Sequence, residues 1–339
     1  MNAEDDDRLE IILRTSRRTV VTGAAGFIGS HVAESLLGYG WQVLGIDSCR
    51  REPAQVRRNL APLQTNDGFR MIRGDLLNVT ARHFEGVDTV FHLAAQPGVR
   101  TSWGRRFDQY CDSNILATHR VMEAAAEAGV RRVIVSSSSS VYGRSDAKSF
   151  DESLVPNPMS PYGVSKLASE QLALVHAMRA DAALGVVALR YFTVYGPRQR
   201  DDMAIGRMIR AALTGEPMTV FGDGMQLRDF TYVADVVRAN LLAMVSDARA
   251  AVVNVGTGEI VTVLDLLALV GEVVGREVPV TFAASEAGDA PFTRADLTQA
   301  AAVLGYRPTV TLREGIRRQL EWMAGSGEVP GPTQVRPAH

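Results

Sequence analysis

Short apolar runs alternate with longer amphipathic segments over the first two-thirds of the chain. Thr19 to Thr22 has the β-branched character of a strand, and Phe27 to Leu37 carries helical periodicity. Gln42 to Ile46 reads as a second strand. Phe69 to Arg73, Val87 to His92, Arg132 to Ser137 and Val186 to Tyr191 read as further strands. Helical patterns lie between them, the longest at Asp108 to Ala128 and Tyr162 to Ala183. Strands alternating with helices build parallel βαβ units, whose right-handed crossovers put helices on both faces of the sheet. The predicted fold class is α/β, a doubly wound parallel sheet of Rossmann type.

After about Gly196 the rhythm changes. Short apolar pieces such as Met218 to Phe221 and Val252 to Val255 mix with helices and Pro/Gly turns. The pattern predicts a smaller α/β lobe built from 197–229 and 258–325. Tyr232 to Val245 is expected to return to the larger domain, which comprises 17–196 with 230–257. A chain that crosses between lobes more than once leaves a cleft for a bridging ligand. Residues 1–16, charged and non-periodic, and 326–339, rich in Gly and Pro, read as tails.

A formal net charge of -2 gives no reason to expect nucleic acid as a partner. No apolar run approaches the ~18 residues of a membrane span. Cys49 and Cys111 are too few for a disulfide framework and read as reduced thiols. With no basic segment leading into an apolar run near Asn2, the expected location is the cytoplasm. No metal ligand set is assigned.

The strongest local signal is Thr22-Gly23-Ala24-Ala25-Gly26-Phe27-Ile28-Gly29, which follows a strand and opens a helix. Glycines allow a tight turn and let backbone N–H groups approach a pyrophosphate at the helix N-terminus. The first gap is one residue longer than in the standard fingerprint, and an isolated motif of this kind is equally a packing turn. Asp47 ends the second strand, near the offset of a ribose-binding acid. A carboxylate there accepts from the ribose hydroxyls and repels a 2′-phosphate, favouring NAD over NADP. Arg50 and Arg51 follow and are read as a solvated loop. Asp75 and Leu76 are placed to reach the adenine. The small residues of His92-Leu93-Ala94-Ala95 allow backbone contact with a cofactor at Ala94, with His92 read as a structural strand-end histidine.

Tyr162 and Lys166 stand four residues apart, on one face of a helix. A phenol near pKa ~10 needs about 4 kcal/mol of differential stabilisation to act as a base near neutrality. A neighbouring Lys⁺ and a positive nicotinamide both favour the phenolate. The same pair is also common on exposed helices. Upstream, Val135-Ser136-Ser137-Ser138-Ser139-Ser140-Val141-Tyr142-Gly143 supplies hydroxyls at a strand end. Asn114 lies within the 108–128 helix, where a buried amide would connect the lysine to a water.

These segments, with Ser160-Pro161-Tyr162-Gly163, Arg190-Tyr191-Phe192 and Arg228-Asp229-Phe230-Thr231-Tyr232-Val233, occur in the order of a known family. Over about residues 18–323 the chain resembles the extended short-chain dehydrogenase/reductases, in the nucleotide-sugar epimerase and dehydratase branch. The resemblance implies bound NAD, with Lys166 among its contacts. It also implies Tyr162 as base, Lys166 as its partner, Ser138 as the hydroxyl beside the reacting oxygen and Asn114 as a supporting amide. In the family's epimerases the sugar is oxidised at carbon 4, the 4-keto sugar turns over, and hydride returns to its other face.

Dehydratases of the family carry an Asp-Glu pair where this chain has Ser139 and Ser140. The run from Thr193 to Ala204, with His92 to Arg100, is similar to UDP-glucuronic acid 4-epimerases; glucose/galactose epimerases usually have Asn at Thr193. Ser139, Thr193 and Arg200 are therefore the expected partners of a sugar carboxylate. A 4-keto uronic acid is a β-keto acid prone to lose CO₂, so its carboxylate must be held in an unproductive orientation. Arg228 matches the family's diphosphate contact. Glu286-Ala287-Gly288-Asp289 departs from it, since Glu286 replaces an arginine, and Arg294 is the expected substitute. Family helices equivalent to 108–128 and 162–183 pair across a two-fold axis, implying a homodimer. The alternatives are a UDP-glucose/UDP-galactose epimerase, a non-catalytic NAD or nucleotide-sugar binding protein, and a net oxidoreductase releasing NADH.

Overall fold

Adjacent residues of the central strands pack to opposite sides, the period-2 signature of a strand covered on both faces. Val20, Val90, Val133 and Val186 enter one apolar cluster, while Val21, Phe91, Ile134 and Val187 enter the other. In this computed structural model, which describes residues 13, 17–145, 147–181, 183–284 and 292–326, these strands form a seven-stranded parallel sheet. Its strands are β1 (Arg18–Thr22), β2 (Gln42–Asp47), β3 (Phe69–Arg73), β4 (Thr89–His92), β5 (Arg132–Ser138), β6 (Gly185–Tyr191) and β11 (Ala250–Val255). Their order is β11-β6-β5-β4-β1-β2-β3. The order reverses between β1 and β4, where a doubly wound sheet opens a crevice at the carboxyl ends of its strands.

Helices α1 (Phe27–Gly38) and α2 (Pro53–Gln64) follow the first two strands. The segment expected as one helix over 108–128 begins at α3 (Phe107–Tyr110), passes through a π-helical turn at Cys111–Leu116 and continues as α4 (Ala117–Glu127). The extra residue per turn widens the helix where Asn114 faces inward. Helix α5 runs over Pro161–Met178, stopping short of the expected Ala183. Ser160 caps it, its Oγ accepting from Gly163 N at 3.1 Å, and Pro161 needs no donor at the first position. Val87 lies before β4 rather than in it.

Beyond β6 come β7 (Thr193–Tyr195), α6 (Ala204–Thr214), β8 (Met218–Phe221), β9 (Leu227–Arg228), β10 (Phe230–Tyr232) and α7 (Val233–Val245). After β11 follow β12 (Val261–Thr262), α8 (Val263–Val274), β13 (Val280–Ala283), α9 (Thr298–Leu304) and α10 (Leu312–Gly325). Three two-stranded pairs, β7·β10, β9·β12 and β8·β13, lie outside the main sheet. Helix α7 packs against α1, and α6, α8 and α10 pack together. Val252 to Val255 belongs to the main sheet, because β11 pairs in parallel with β6 over its full length. Among the described residues no helix is long and apolar enough to cross a membrane.

A buried ion pair joins three of these elements. Glu170 of α5 accepts from Arg190 of β6 through both oxygens, at 2.7 and 2.9 Å, and from Ser137 Oγ of β5 at 2.7 Å. Glu170 is fully buried and Arg190 only 3% exposed, so neither charge is shared with solvent. The Arg190 guanidinium also lies over the Tyr142 ring, 4.7 Å from its centre. Removing one partner strands the other charge in low dielectric, whereas removing both does not. Arg190→Met is expected to lose roughly 3–5 kcal/mol in urea unfolding, and the Glu170→Met/Arg190→Met double variant markedly less. Equal losses in the two would show that the pair is not what holds these elements.

Candidate active site

The glycine loop is tight because its own backbone closes it. Gly23 N donates to Ile46 O at 2.8 Å and Gly26 N to Gly23 O at 2.9 Å. Gly23 has φ +72°, and a Cβ there would stand 2.7 Å from Ala94 N, so only glycine lets this loop lie against the segment after β4. No side chain caps α1 at Gly26, which leaves first-turn N–H groups available to an anion. Gly23, Gly26, Phe27, Ile28, Gly29, Asp47, Asp75, Leu76, Ala94 and Lys166 line one cleft of about 510 Å³, together with Tyr162 and Arg200. A loop without side chains beside uncapped helix N–H groups fits a dinucleotide pyrophosphate.

Asp47 is oriented by two backbone donors, Ala25 N at 3.1 Å and Cys49 N at 2.8 Å, leaving lone pairs for further donors. Asp75 Oδ1 accepts from Leu77 N at 3.0 Å, and its Oδ2 pairs with Arg50 at 2.8 Å. Arg50 and Arg51 were expected in a solvated loop; both line the cleft, Arg50 with its side chain still 73% exposed and Arg51 half-buried. Cys49, just before them, has φ +52°. Burial and then the nearby Arg200 push the Arg51 guanidinium below its ordinary pKa, against Asp47 and Asp202.

Tyr162 and Ser138 come together through a glycine contact. Ser138 ends β5 and caps the following turn, its Oγ accepting from Ser140 N at 3.1 Å. A Cβ on Gly163 would stand 2.6 Å from Ser140 O, so glycine lets the first turn of α5 press on the serine turn. Burial pushes the Tyr162 phenol above its usual pKa; the Ser138 hydroxyl and then the Arg200 charge pull it down, and Tyr110 adds to the rise. The expected help from Lys166 is not among these influences. Lys166 Nζ instead donates to Ser136 Oγ at 3.3 Å. Burial takes its ammonium down to about 8, against the Glu170 carboxylate.

Among the described residues Asn114 and Lys166 share no direct hydrogen bond. The Asn114 amide accepts from Gln96 N at 2.7 Å and donates to Gln96 O at 3.1 Å and Ser165 Oγ at 2.8 Å. It is a strut between the segment after β4 and the face of α5 beside Lys166. His92 is buried between the Thr22 and Thr118 hydroxyls at 2.8 and 2.9 Å. Burial and then Lys166 lower its pKa to about 3, so it stays neutral, as a structural histidine does.

The remaining expected substrate contacts are spread more widely. Ser139 is half-buried in the turn after Ser138, and Thr193 opens β7 with its N–H on Asp229 O at 3.0 Å. Arg200 grips Asp202 with two bonds of 2.9 and 3.0 Å at the cleft. Arg228 lines a different pocket, of about 160 Å³, with Thr257, Glu259 and the 308–312 segment. Arg294 is exposed and donates to Gly258 O at 2.8 Å. Arg228 and Arg294 therefore do not line the main cleft. Glu286 to Asp289 lies outside the described residues. Sequence reasoning gave no role to Asp229, although it quoted the motif that contains it. Asp229 is fully buried and accepts from Thr257 N, Gly258 N and Ala295 N at 2.8, 2.9 and 3.2 Å, which fixes Arg228 beside it.

A profile of the NAD dependent epimerase/dehydratase family matches residues 19–256. A Bacillus subtilis (strain 168) protein named an uncharacterized UDP-glucose epimerase, YtcB, is 40% identical over 313 residues, 91% of this chain and 98% of the relative. The solved structure of MoeE5 with UDP-glucuronic acid and NAD is 47% identical, with TM-score 0.83, covering 91% of this chain and 99% of that one. The UDP-glucuronic acid 4-epimerase from Bacillus cereus, solved with UDP-glucuronic acid and NAD, is 39% identical, with TM-score 0.86 and the same coverage.

The buried ammonium generates a prediction that separates stability from activity. Bringing it down to about 8 opposes folding at neutral pH by roughly 3 kcal/mol. Lys166→Met removes that cost and is expected to raise unfolding free energy at pH 7 while lowering turnover at least ~100-fold. Between the folded value near 8 and the unfolded value near ~10.4, the folded state binds fewer protons, so the parent gains stability as pH rises. The variant does not, and the gap must narrow over that window in urea unfolding. A pH-independent gap would mean that packing, not charge, sets the difference.

Proposed function

The chain belongs to the NAD dependent epimerase/dehydratase family, and we propose that it interconverts UDP-glucuronic acid and UDP-galacturonic acid by epimerisation at carbon 4. The observation that carries the choice of sugar is Arg200, a cation on the cleft wall close enough to Tyr162 to lower its pKa. A sugar carboxylate leaving water needs such a partner. Solved relatives bind UDP-glucuronic acid with NAD, and a Thermodesulfobacterium geofontis relative, 32% identical, is named a UDP-glucuronate 4-epimerase.

In this reading Gly23, Gly26, Phe27, Ile28 and Gly29 hold the NAD pyrophosphate, Asp47 its ribose, and Asp75, Leu76 and Ala94 the adenosine side of the cleft. Bound NAD supplies the reversible hydride acceptor for carbon 4. Tyr162 takes and returns the proton at O4, Ser138 holds that oxygen, and Lys166 places positive charge behind both. Ser139, Thr193 and Arg200 hold the carboxylate, while Arg228 and Arg294 receive the nucleotide end. Residues 17–196 with 230–257 make the cofactor domain, and 197–229 with 258–325 the nucleotide-sugar lobe. Ser139 and Ser140 offer no carboxyl group for eliminating water.

A second reading has its own observation. Asp202 already neutralises Arg200, which leaves the cleft tolerant of an uncharged hexose, as the name of the Bacillus subtilis relative suggests. Incubation with UDP-glucuronate alone is expected to yield UDP-galacturonate without added NADH. Arg200→Met should raise KM for UDP-glucuronate at least ~10-fold, one lost charge-assisted contact, and change KM for UDP-glucose little. Conversion of UDP-glucose only, unaffected by Arg200→Met, would favour the second reading. Stoichiometric NADH release would make the protein a net oxidoreductase, and failure to turn over any sugar nucleotide would make it a binding protein.

The protein is proposed to act as a homodimer in the cytoplasm, where its free thiols Cys49 and Cys111 stay reduced. Leu116, Val164, Val175 and Met178 expose apolar surface on the π-turn and α5, the helices expected to pair. Sedimentation should give a dimer mass for the parent and a monomer for Val175→Glu. A monomeric parent would sink this part of the proposal.

A further inference from the structure

Away from the cleft, two helices bring three metal-binding side chains together. His119 and Glu123 sit one turn apart on α4, and His176 lies in the last turn of the neighbouring α5. One donor atom from each lies within 4.8 Å of the other two. We propose that His119, Glu123 and His176 form a binding site for a divalent transition metal of the zinc class, clipping α4 to α5.

The spacing fits an ion better than a direct contact. His176 Nε2 stands 3.4 Å from Glu123 Oε1. A charged N–H···O bond closes to about 2.7–2.9 Å. Two ligands at the usual zinc distance on one tetrahedral ion stand about 3.4 Å apart. Glu123 is exposed and His119 half-buried, so rotation of their side chains closes the remaining gap. His176 is only 7% exposed, so its ring is fixed by packing with Nε2 facing Glu123.

The chemistry of the donors selects the metal. Two imidazoles and one carboxylate suit zinc, cobalt, nickel or copper, whereas magnesium and calcium prefer oxygen. Three protein ligands leave a fourth position for water. The consequence is mechanical. Helix α5 carries Tyr162 in its first turn and Lys166 in its second, and α4 continues the turn that holds Asn114, so a clip between them stiffens the frame of the cleft. The site does not need the proposed reaction, and all three ligands come from one chain.

The test uses the full chain without a histidine tag. Cobalt(II) titration should produce the visible d–d absorption of a tetrahedral ion, saturating at one per chain and bleached by zinc. Saturating zinc should raise Tm by about 3 °C or more, the shift expected when ligand greatly exceeds Kd. His119→Ala and Glu123→Gln, both at accessible positions, should abolish the band and the zinc shift while keeping the metal-free Tm and the activity of the parent. His176 is left intact because its burial makes loss of folding a competing explanation. Absence of the band in the parent overturns the proposal. A band and shift that persist in both variants also overturn it, by assigning the ion elsewhere, such as Cys49 or Cys111.

Discussion

The Glu170–Arg190 pair is the constraint on which the rest of the centre depends. It closes the joint between α5 and the two strands beneath it, and Ser137 completes the carboxylate's bonding. The same carboxylate is the anion that acts on Lys166. One buried negative charge therefore serves two buried cations. Arg190 takes both oxygens in a fork that fits them, so little of the charge is left for the lysine. Burial then wins at Lys166, and its ammonium titrates near 8 rather than at its ordinary value. The ion pair holds the helix in place and, by holding it, sets the ionisation of a side chain facing the cleft.

Close backbone approach does the rest of the positioning. Gly23 lies against Ala94, and Gly163 lies against Ser140. At each contact a methyl group would force two segments apart, moving the helix N-terminus from the strand ends or the tyrosine from Ser138. The cleft is thus shaped by what is missing from these residues, while side chains such as Asn114 and Asp229 tie its walls from behind.

Much of this was legible in the sequence. Strand positions followed from apolar runs because both faces of the sheet are covered, and the order of helices and strands left few topologies. The glycine loop, Asp47 and the Tyr162–Lys166 spacing are local features, and local features survive translation into one dimension. The π-turn at Cys111–Leu116 was invisible because its residues suit an ordinary helix, and only packing widens it. Arg51 was read as a solvated loop charge and Arg200 as a carboxylate partner, and nothing in one dimension says that their two distant loops meet. The same holds for Arg228, whose motif places it in the lobe but not in which pocket. The seventh strand, β11, falls within the 230–257 stretch expected to return to the larger domain, but its place beside β6 is legible only in the pairing.

Arg200 joins recognition to acidity. It lowers the pKa of Tyr162 while paired with Asp202, so the phenol already works beside a partly compensated cation. In the proposed reaction a substrate carboxylate that takes the guanidinium exchanges one anion for another. A neutral sugar leaves the Asp202 clamp closed. In either case the charge that Tyr162 senses changes little. The charge of Arg51 interacts with Asp47 and Asp202 as well as with Arg200, so the carboxylates of that corner are balanced. Without Asp202, binding an anionic sugar would quench a free cation beside the phenol and shift its pKa upward at the moment it must accept a proton. The counter-ion thus costs some affinity for an anionic substrate and in return decouples the base from substrate charge. One solved relative, MoeE5, is known in complex with UDP-glucose and with UDP-glucuronic acid.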